Sequence, residues 1–252
     1  MIVDSNNMEF GSEITAVIPY AYWLYKNGRL DLTRSAIGTE PFYYFSPKHV
    51  INKKPRYSGN IWTSTIPNKS VSEFTGEGEW YAPPYKAKYM NSEFVYDKPI
   101  LVIANKYNVE WNRGPINYLS LQKITYILNT LGDKYTVFYN RRTPNHLKDD
   151  QAHMDLKEHT FIRQAYPDVK FISDLEGDYN LNQLRVYANC EHFISVQGGN
   201  SILASYFGGT NIVYAVKGNE LNGGFYNRLS KLSGCNVIHA KEDFNNLISM
   251  FK

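Results

Sequence analysis

Hydrophobic and polar positions follow a regular order only after residue 99. The apolar run 100–104 predicts a strand that is buried on both faces, and helical periodicity at 119–131 ends at Gly132. Strands that alternate with helices predict an α/β fold with a Rossmann-like parallel sheet and right-handed crossovers. The other predicted strands are 135–139, 169–172, 192–196, 211–214 and 236–239, and the other predicted helices are 155–165, 180–189, 201–207 and 243–251.

The pattern before residue 99 is less regular. Apolar positions at helical spacing predict a helix over 13–27, and Pro19 inside it predicts a kink or a later start. Residues 39–97 are rich in Pro, Gly, Tyr, Lys and Asn, with short β-like pieces at 42–45 and 60–63, and this composition predicts a loop-rich segment. Within it, 77–85 suits either a packed connector or a sugar-stacking loop. We therefore expect two parts, 1–98 and 99–252.

Composition narrows the class of protein. The 252 residues are 43% hydrophobic and 20% charged, as in ordinary soluble globular proteins. A net charge of +3 from scattered Lys and Arg does not indicate a nucleic-acid partner. The two cysteines form neither a disulfide framework nor a metal motif, and we see no signal peptide or transmembrane segment. We expect a reduced, cytoplasmic protein.

The most informative local feature is a glycine turn between a predicted strand and a predicted helix. In open parallel sheets, ligands bind beyond the carboxyl ends of the strands. Two glycines there let the backbone approach a ligand, and the N–H groups at a helix start favour phosphate. An ordinary strand-to-helix turn capped by Asn200 or Ser201 would use the same residues. The turn consists of Gln197, Gly198, Gly199, Asn200 and Ser201.

Two other strand ends carry polar residues to the same predicted edge. Asn105 and Lys106 follow the first strand of this part, and Arg141 and Arg142 follow the second. Lys and Arg neutralise phosphate oxygens, and Arg does so with two parallel hydrogen bonds. The alternative is that the arginines are solvated loop charges. If the ends converge, they predict a diphosphate site.

The chain from about 99 to 252 resembles the donor half of GT-B glycosyltransferases. The similarity is carried by Asp174-Leu175, the segments 180–184 and 188–195, the turn Gly198-Gly199-Asn200-Ser201 and Ala204. It implies a nucleoside-diphosphate sugar as donor substrate, a glycan hydroxyl as acceptor, and a hexosyl- or pentosyltransferase activity. Residues 1–98 resemble a reduced acceptor half. They are too few for a second full Rossmann-like domain, so either this part is trimmed or both halves share one sheet.

Metal and base chemistry follow from the acidic residues. The chain lacks the DXD dipeptide that holds a divalent ion in GT-A enzymes, and its six His show no ligand spacing, so we expect metal-independent chemistry with no cofactor. An inverting transfer needs a base for the acceptor hydroxyl. Glu13 is the first candidate, followed by Glu9 and Asp4. A carboxylate near a helix start can equally cap the helix.

Two other classes of function remain. A non-catalytic nucleotide or glycan binding module would use the same turn without a base. A Rossmann oxidoreductase is disfavoured, because no GxGxxG motif follows a strand and the Gly198 turn lacks a third glycine.

Overall fold

A computed structural model describes residues 1–6, 8–52, 79–111, 113–141 and 154–252. It contains two parallel sheets, one of three strands and one of six. The predicted α/β, Rossmann-like class with parallel strands is therefore confirmed. No helix among these residues has the length and apolar character needed to cross a bilayer.

The amino-terminal residues form the small sheet, in the order β1-β2-β3. Its strands are β1 (Ile2–Asp4), β2 (Leu32–Ala36) and β3 (His49–Asn52), and its helices are α1 (Phe10–Ser12), which continues through a π-helical turn (Glu13–Val17) into α2 (Ile18–Lys26), and α3 (Tyr85–Tyr89). The six-stranded sheet comprises β4 (Ile100–Ala104), β5 (Thr136–Asn140), β6 (Lys170–Phe171), β7 (His192–Val196), β8 (Thr210–Tyr214) and β9 (Asn236–Ala240). Its helices are α4 (Leu121–Leu131), α5 (Glu158–Ala165), α6 (Tyr179–Ala188), α7 (Gly199–Ser205), α8 (Phe225–Ser233) and α9 (Phe244–Ile248). Because the two parts have separate sheets, the alternative of one shared sheet is wrong.

The strand order of the large sheet is β6-β5-β4-β7-β8-β9. Counted from β4, this is the order 3-2-1-4-5-6 of the doubly wound dinucleotide-binding fold. The order reverses between β4 and β7, where the chain leaves the sheet toward opposite faces. A crevice opens at such a point beyond the carboxyl ends of the strands, and it is where ligands bind in this class of sheet.

Alternate strand residues supply two apolar cores. Leu101 and Ile103 face a core made with α4, α5 and α9. Val102 and Phe193 face the other core, which contains α6, α7 and α8 together with amino-terminal residues such as Ile14. The amino-terminal part and the large sheet therefore share one continuous hydrophobic core.

Pro19 changes the hydrogen bonds of the first helix but does not end the helix. Since proline has no N–H, carbonyls about one turn earlier need other donors. The Ile14 carbonyl accepts from the Tyr206 hydroxyl at 2.8 Å, and the Thr15 carbonyl accepts from Trp80 Nε1 at 2.9 Å. Ile18 N–H donates five residues back, to the Glu13 carbonyl, which gives the π-helical turn. The helix thus begins before Pro19, at Phe10, and its freed carbonyls bind the rest of the protein.

Several local predictions were wrong or incomplete. The piece predicted as β-like at 42–45 begins in a 3-10 turn (Glu40–Tyr43) and continues as a turn at 44–45, and the piece at 60–63 lies outside the described residues. The sequence pattern did not predict β1, β2, β3 or α8. Of 77–85, the described residues pack as a connector, with Trp80 and Tyr85 buried. Residues 77 and 78 lie outside the described ranges.

Candidate functional site

Lys106 reaches across the crevice between β4 and β7. It follows β4 by two residues, and its Nζ lies 2.9 Å from Gln197 Oε1, on the residue after β7, and 3.1 Å from Glu110 Oε2. Its side chain is 23% exposed. Burial lowers the pKa of Lys106, and the Glu110 carboxylate partly offsets this effect. A cation therefore stands at the switch point of the sheet and retains access to solvent.

Glu110 is held in place by Lys106 and Asn117. Asn117 donates its backbone N–H to Glu110 Oε1 and its Nδ2 to Oε2, both at 2.8 Å. Burial raises the pKa of Glu110, but the Lys106 ammonium and the Asn117 donors outweigh it, so the pKa lies below the ordinary value. The ionised carboxylate thus closes the loop that follows β4.

Asn117 also ties this loop to the loop that follows β8. Its Nδ2 donates to the Lys217 carbonyl at 2.8 Å and to Gln197 Oε1 at 3.2 Å. Its Oδ1 accepts from Val216 N–H at 2.8 Å and from Lys217 N–H at 3.1 Å. One buried amide therefore fixes three loops at the carboxyl edge, those after β4, β7 and β8.

The two glycines of the predicted turn have different roles. Gly198 has φ 127° and ψ −170°, a region essentially restricted to glycine, and a Cβ there would lie 3.5 Å from Lys106 Nζ. At Gly199, a Cβ would lie 2.9 Å from Phe10 Cδ1 and 3.2 Å from Gly11 Cα. Gly198 thus brings backbone to the lysine, whereas Gly199 lets the amino-terminal part pack against α7.

The other residues of the turn are mainly structural. Gln197 is buried and accepts a hydrogen bond from the Lys106 ammonium. Ser201 Oγ donates to the Gly198 carbonyl at 2.8 Å. Asn200 is half-buried. Asn105 is buried and clamps the loop, because it bonds Leu119 through both Oδ1 and Nδ2.

Arg141 is held in a buried ion pair with Glu158. Its guanidinium forms a two-point ion pair with Glu158, the Nη2–Oε2 distance being 2.9 Å, and donates to the Met154 carbonyl at 3.1 Å. Arg141 and Glu158 are 3% and 0% exposed. The expectation that Arg141 joins the glycine turn is not met in this arrangement, because a partner 17 residues further on holds it. Arg142 lies outside the described residues.

The two candidate bases occupy unlike environments. Glu13 is fully buried, and its Oε1 accepts from Ser5 Oγ at 2.5 Å and from the Tyr43 hydroxyl at 2.7 Å. Glu9 is the residue that caps the helix, accepting from Gly11 N–H at 2.9 Å and Ser12 N–H at 3.0 Å. The alternative that Glu13 caps the helix is wrong. Glu9, not Glu13, lies beside the contact between Gly11 and Gly199 of α7.

Sequence reasoning did not find Glu110, Asn117 or Glu220. The Glu220 carboxylate lies near the crevice, since its Oε2 would be 2.7 Å from a Cβ on Gly218 and it acts electrostatically on Lys106. These residues lie several positions beyond the strand ends. At that distance the sequence no longer predicts which residues lie at the carboxyl edge of the sheet. The glycine at 218 was the available signal, because it marks a sharp turn after β8.

Comparison with protein-family models and with curated proteins gave no match to the chain. Within the described ranges, no group of three or more His, Cys, Asp or Glu is close enough together to hold a metal ion.

Proposed function

We propose that the chain is a glycosyltransferase that binds a nucleoside-diphosphate sugar in the crevice between β4 and β7. The observation that carries the proposal is the position of Lys106, which stands at the switch point of a sheet with the strand order of dinucleotide-binding folds. The GT-B-like resemblance of 99–252 agrees with it.

The charges around Lys106 suit both parts of a sugar nucleotide. The ammonium can replace its bond to the neutral Gln197 amide with one to a phosphate oxygen, because the charged oxygen is the stronger acceptor. The Glu220 carboxylate can accept from ribose or sugar hydroxyls, whereas both oxygens of Glu110 already accept from Lys106 and Asn117. The carboxylates repel the phosphates of every anionic ligand. A bare phosphate gains only the Lys106 contact, whereas a sugar nucleotide adds hydroxyl groups that can donate to Glu220.

Glu9 is the favoured candidate base within this proposal. It belongs to the amino-terminal part, which the resemblance assigns to the acceptor, and it adjoins the Gly11–Gly199 contact. Glu13 is less suitable because its carboxylate is fully buried. Transfer without a metal ion stays a prediction.

A second candidate function is a nucleotide or glycan binding module without catalysis. One observation favours it: Glu9 and Glu13 both accept hydrogen bonds from the protein itself, as carboxylates with purely structural roles do.

Lys106→Met tests the ligand site. Loss of a charged hydrogen bond should weaken nucleoside diphosphate binding about ten- to hundredfold, measured by calorimetry. Lys86→Met is the matched control, because Lys86 is 29% exposed and paired with Glu191 just before β7, at the opposite edge of the sheet. If folded Lys106→Met binds as tightly as wild type, the crevice is not the phosphate site.

Glu9→Gln tests catalysis. Glu9 caps the helix through both oxygens and Gln keeps only one, so the free energy of unfolding should fall by about 1 kcal/mol. Release of nucleoside diphosphate by the folded variant in the presence of a glycan acceptor should fall about 10²- to 10⁴-fold. Normal turnover would exclude Glu9 as the base. Binding of sugar nucleotides without any turnover in the wild-type protein, across donors and acceptors, would favour the module.

A further inference from the structure

We infer that Trp111 is a stacking platform for the nucleobase of the bound nucleotide. This inference rests on the proposed function and adds a binding residue to the same crevice. It starts from an exposed indole in the loop that carries Glu110.

Trp111 is held out from the protein by its own backbone. Its φ is +50°, a left-handed conformation that bulky residues rarely adopt, and its side chain is 52% exposed. Glu110 and Arg113 exchange two backbone hydrogen bonds, at 3.2 and 2.9 Å, which makes Trp111 part of a tight hairpin tip. A single exposed aromatic residue is ordinary. A strained one on an anchored tip is a feature that binding would explain.

The tip cannot move independently of the crevice. The residue before Trp111 is Glu110, whose carboxylate contacts Lys106 at 3.1 Å and Asn117 at 2.8 Å. On the other side, Lys217 Nζ lies 5.8 Å from the centroid of the indole ring. Asn117 bonds the Lys217 backbone as well, so the same amide positions both the tryptophan and the lysine beside it.

The position of Trp111 selects the base over the glycan. Trp111 directly follows Glu110, whose carboxylate contacts Lys106, the proposed phosphate partner, and a base is tied to its phosphates through a ribose. The amino-terminal part meets the crevice at the glycine turn, through Phe10 and Gly11 against Gly199. Stacking on an indole suits every base, because each has a flat aromatic face.

The test measures binding of a panel of nucleoside diphosphates, and of inorganic pyrophosphate, to the full chain. Trp111→Ala should weaken the best nucleoside diphosphate about tenfold or more and leave pyrophosphate unchanged. Trp111→Phe, which keeps a ring, should retain most of the affinity. Trp111→Asn should behave like Trp111→Ala while tolerating the left-handed backbone, so a folded variant without a ring is at hand.

Trp23→Ala is the matched control. Trp23 also lies under a cation, with Arg29 Cζ 5.2 Å from its ring centroid, but it belongs to α2, away from the crevice. Its replacement should leave nucleotide affinity unchanged.

Three results would overturn the inference. If Trp111→Ala and Trp111→Asn bind the nucleotide as tightly as wild type, stacking is absent although the proposed function stands. Equal weakening of nucleotide and pyrophosphate binding would assign the residue to loop structure. If wild-type protein binds no nucleoside diphosphate, the proposed function fails together with the inference.

Discussion

Gly199→Ala should destabilise the protein, although alanine is the better helix former. In a helix interior the substitution would add about 1 kcal/mol of stability, but Gly199 is the first residue of α7, where only a small part of this gain applies. In the folded chain, however, the new Cβ would lie 2.9 Å from Phe10 Cδ1, 3.2 Å from Gly11 Cα and 3.3 Å from Gly11 N. Overpacking of this kind typically costs about 1–3 kcal/mol. We expect a net loss of about 1–2 kcal/mol in the free energy of unfolding.

Urea and thermal unfolding measure this loss. For a chain of this size, about 1–2 kcal/mol corresponds to a decrease in Tm of roughly 2–8 °C. Gly114→Ala is the control, because Gly114 has nothing within 4 Å of an added Cβ, and its stability should change by less than about 0.5 kcal/mol. The double variant with Phe10→Ala should lose less stability than the sum of the two single variants, since Phe10→Ala removes the atom nearest to the new Cβ. A Gly199→Ala variant as stable as wild type would refute the packing argument.

Three further predictions concern other buried contacts. Arg141→Met leaves the Glu158 carboxylate buried without its cation, so the free energy of unfolding should fall by about 3–5 kcal/mol in urea denaturation; the double variant with Glu158→Leu should recover most of it, and a mild effect of the single change would contradict the ion pair. The pKa of Glu110 is lowered on folding, so above the ordinary pKa of about 4.3 wild type should have a larger free energy of unfolding than Glu110→Gln. This difference should disappear as the pH falls through the lowered pKa of the folded protein. A difference independent of pH would argue against an ionised Glu110. Tyr206→Phe removes the donor to a backbone carbonyl of the first helix and should cost about 1–3 kcal/mol by thermal unfolding, whereas the exposed Tyr25→Phe should be neutral.

The sequence predicted those elements whose environment is local. β4 and β7 are apolar runs buried on both faces, and the pattern located both strands with the bounds that the structure has. β2, with the sequence Leu-Thr-Arg-Ser-Ala, alternates too weakly to be recognised, because its burial comes from packing with distant residues. The pattern also missed α8, which follows the Gly- and Asn-rich stretch 218–224.

The candidate site was predictable only where chemistry follows a strand end directly. Lys106 was identified because parallel strands deliver their carboxyl ends to one edge. Arg141 also follows a strand end, yet it forms a buried ion pair with Glu158 of α5. Asn117 was invisible to this reasoning, since its role depends on bonds to residues 80 and 100 positions away.

The shared core constrains how the crevice can open and close. Two domains move relative to each other by default when their interface is small and polar, and remain fixed when it is extensive and apolar. Here Ile14 of the first helix and Phe193 of β7 belong to one buried cluster, and Phe10 fits against Gly199 with no room for a methyl group. Separating the parts would expose that cluster to water, at roughly 25 cal/mol for each Å² of apolar surface. If ligand entry requires motion, the loops after β4 and β8 are therefore the better candidates, because their attachment to each other depends largely on the polar contacts of Asn117.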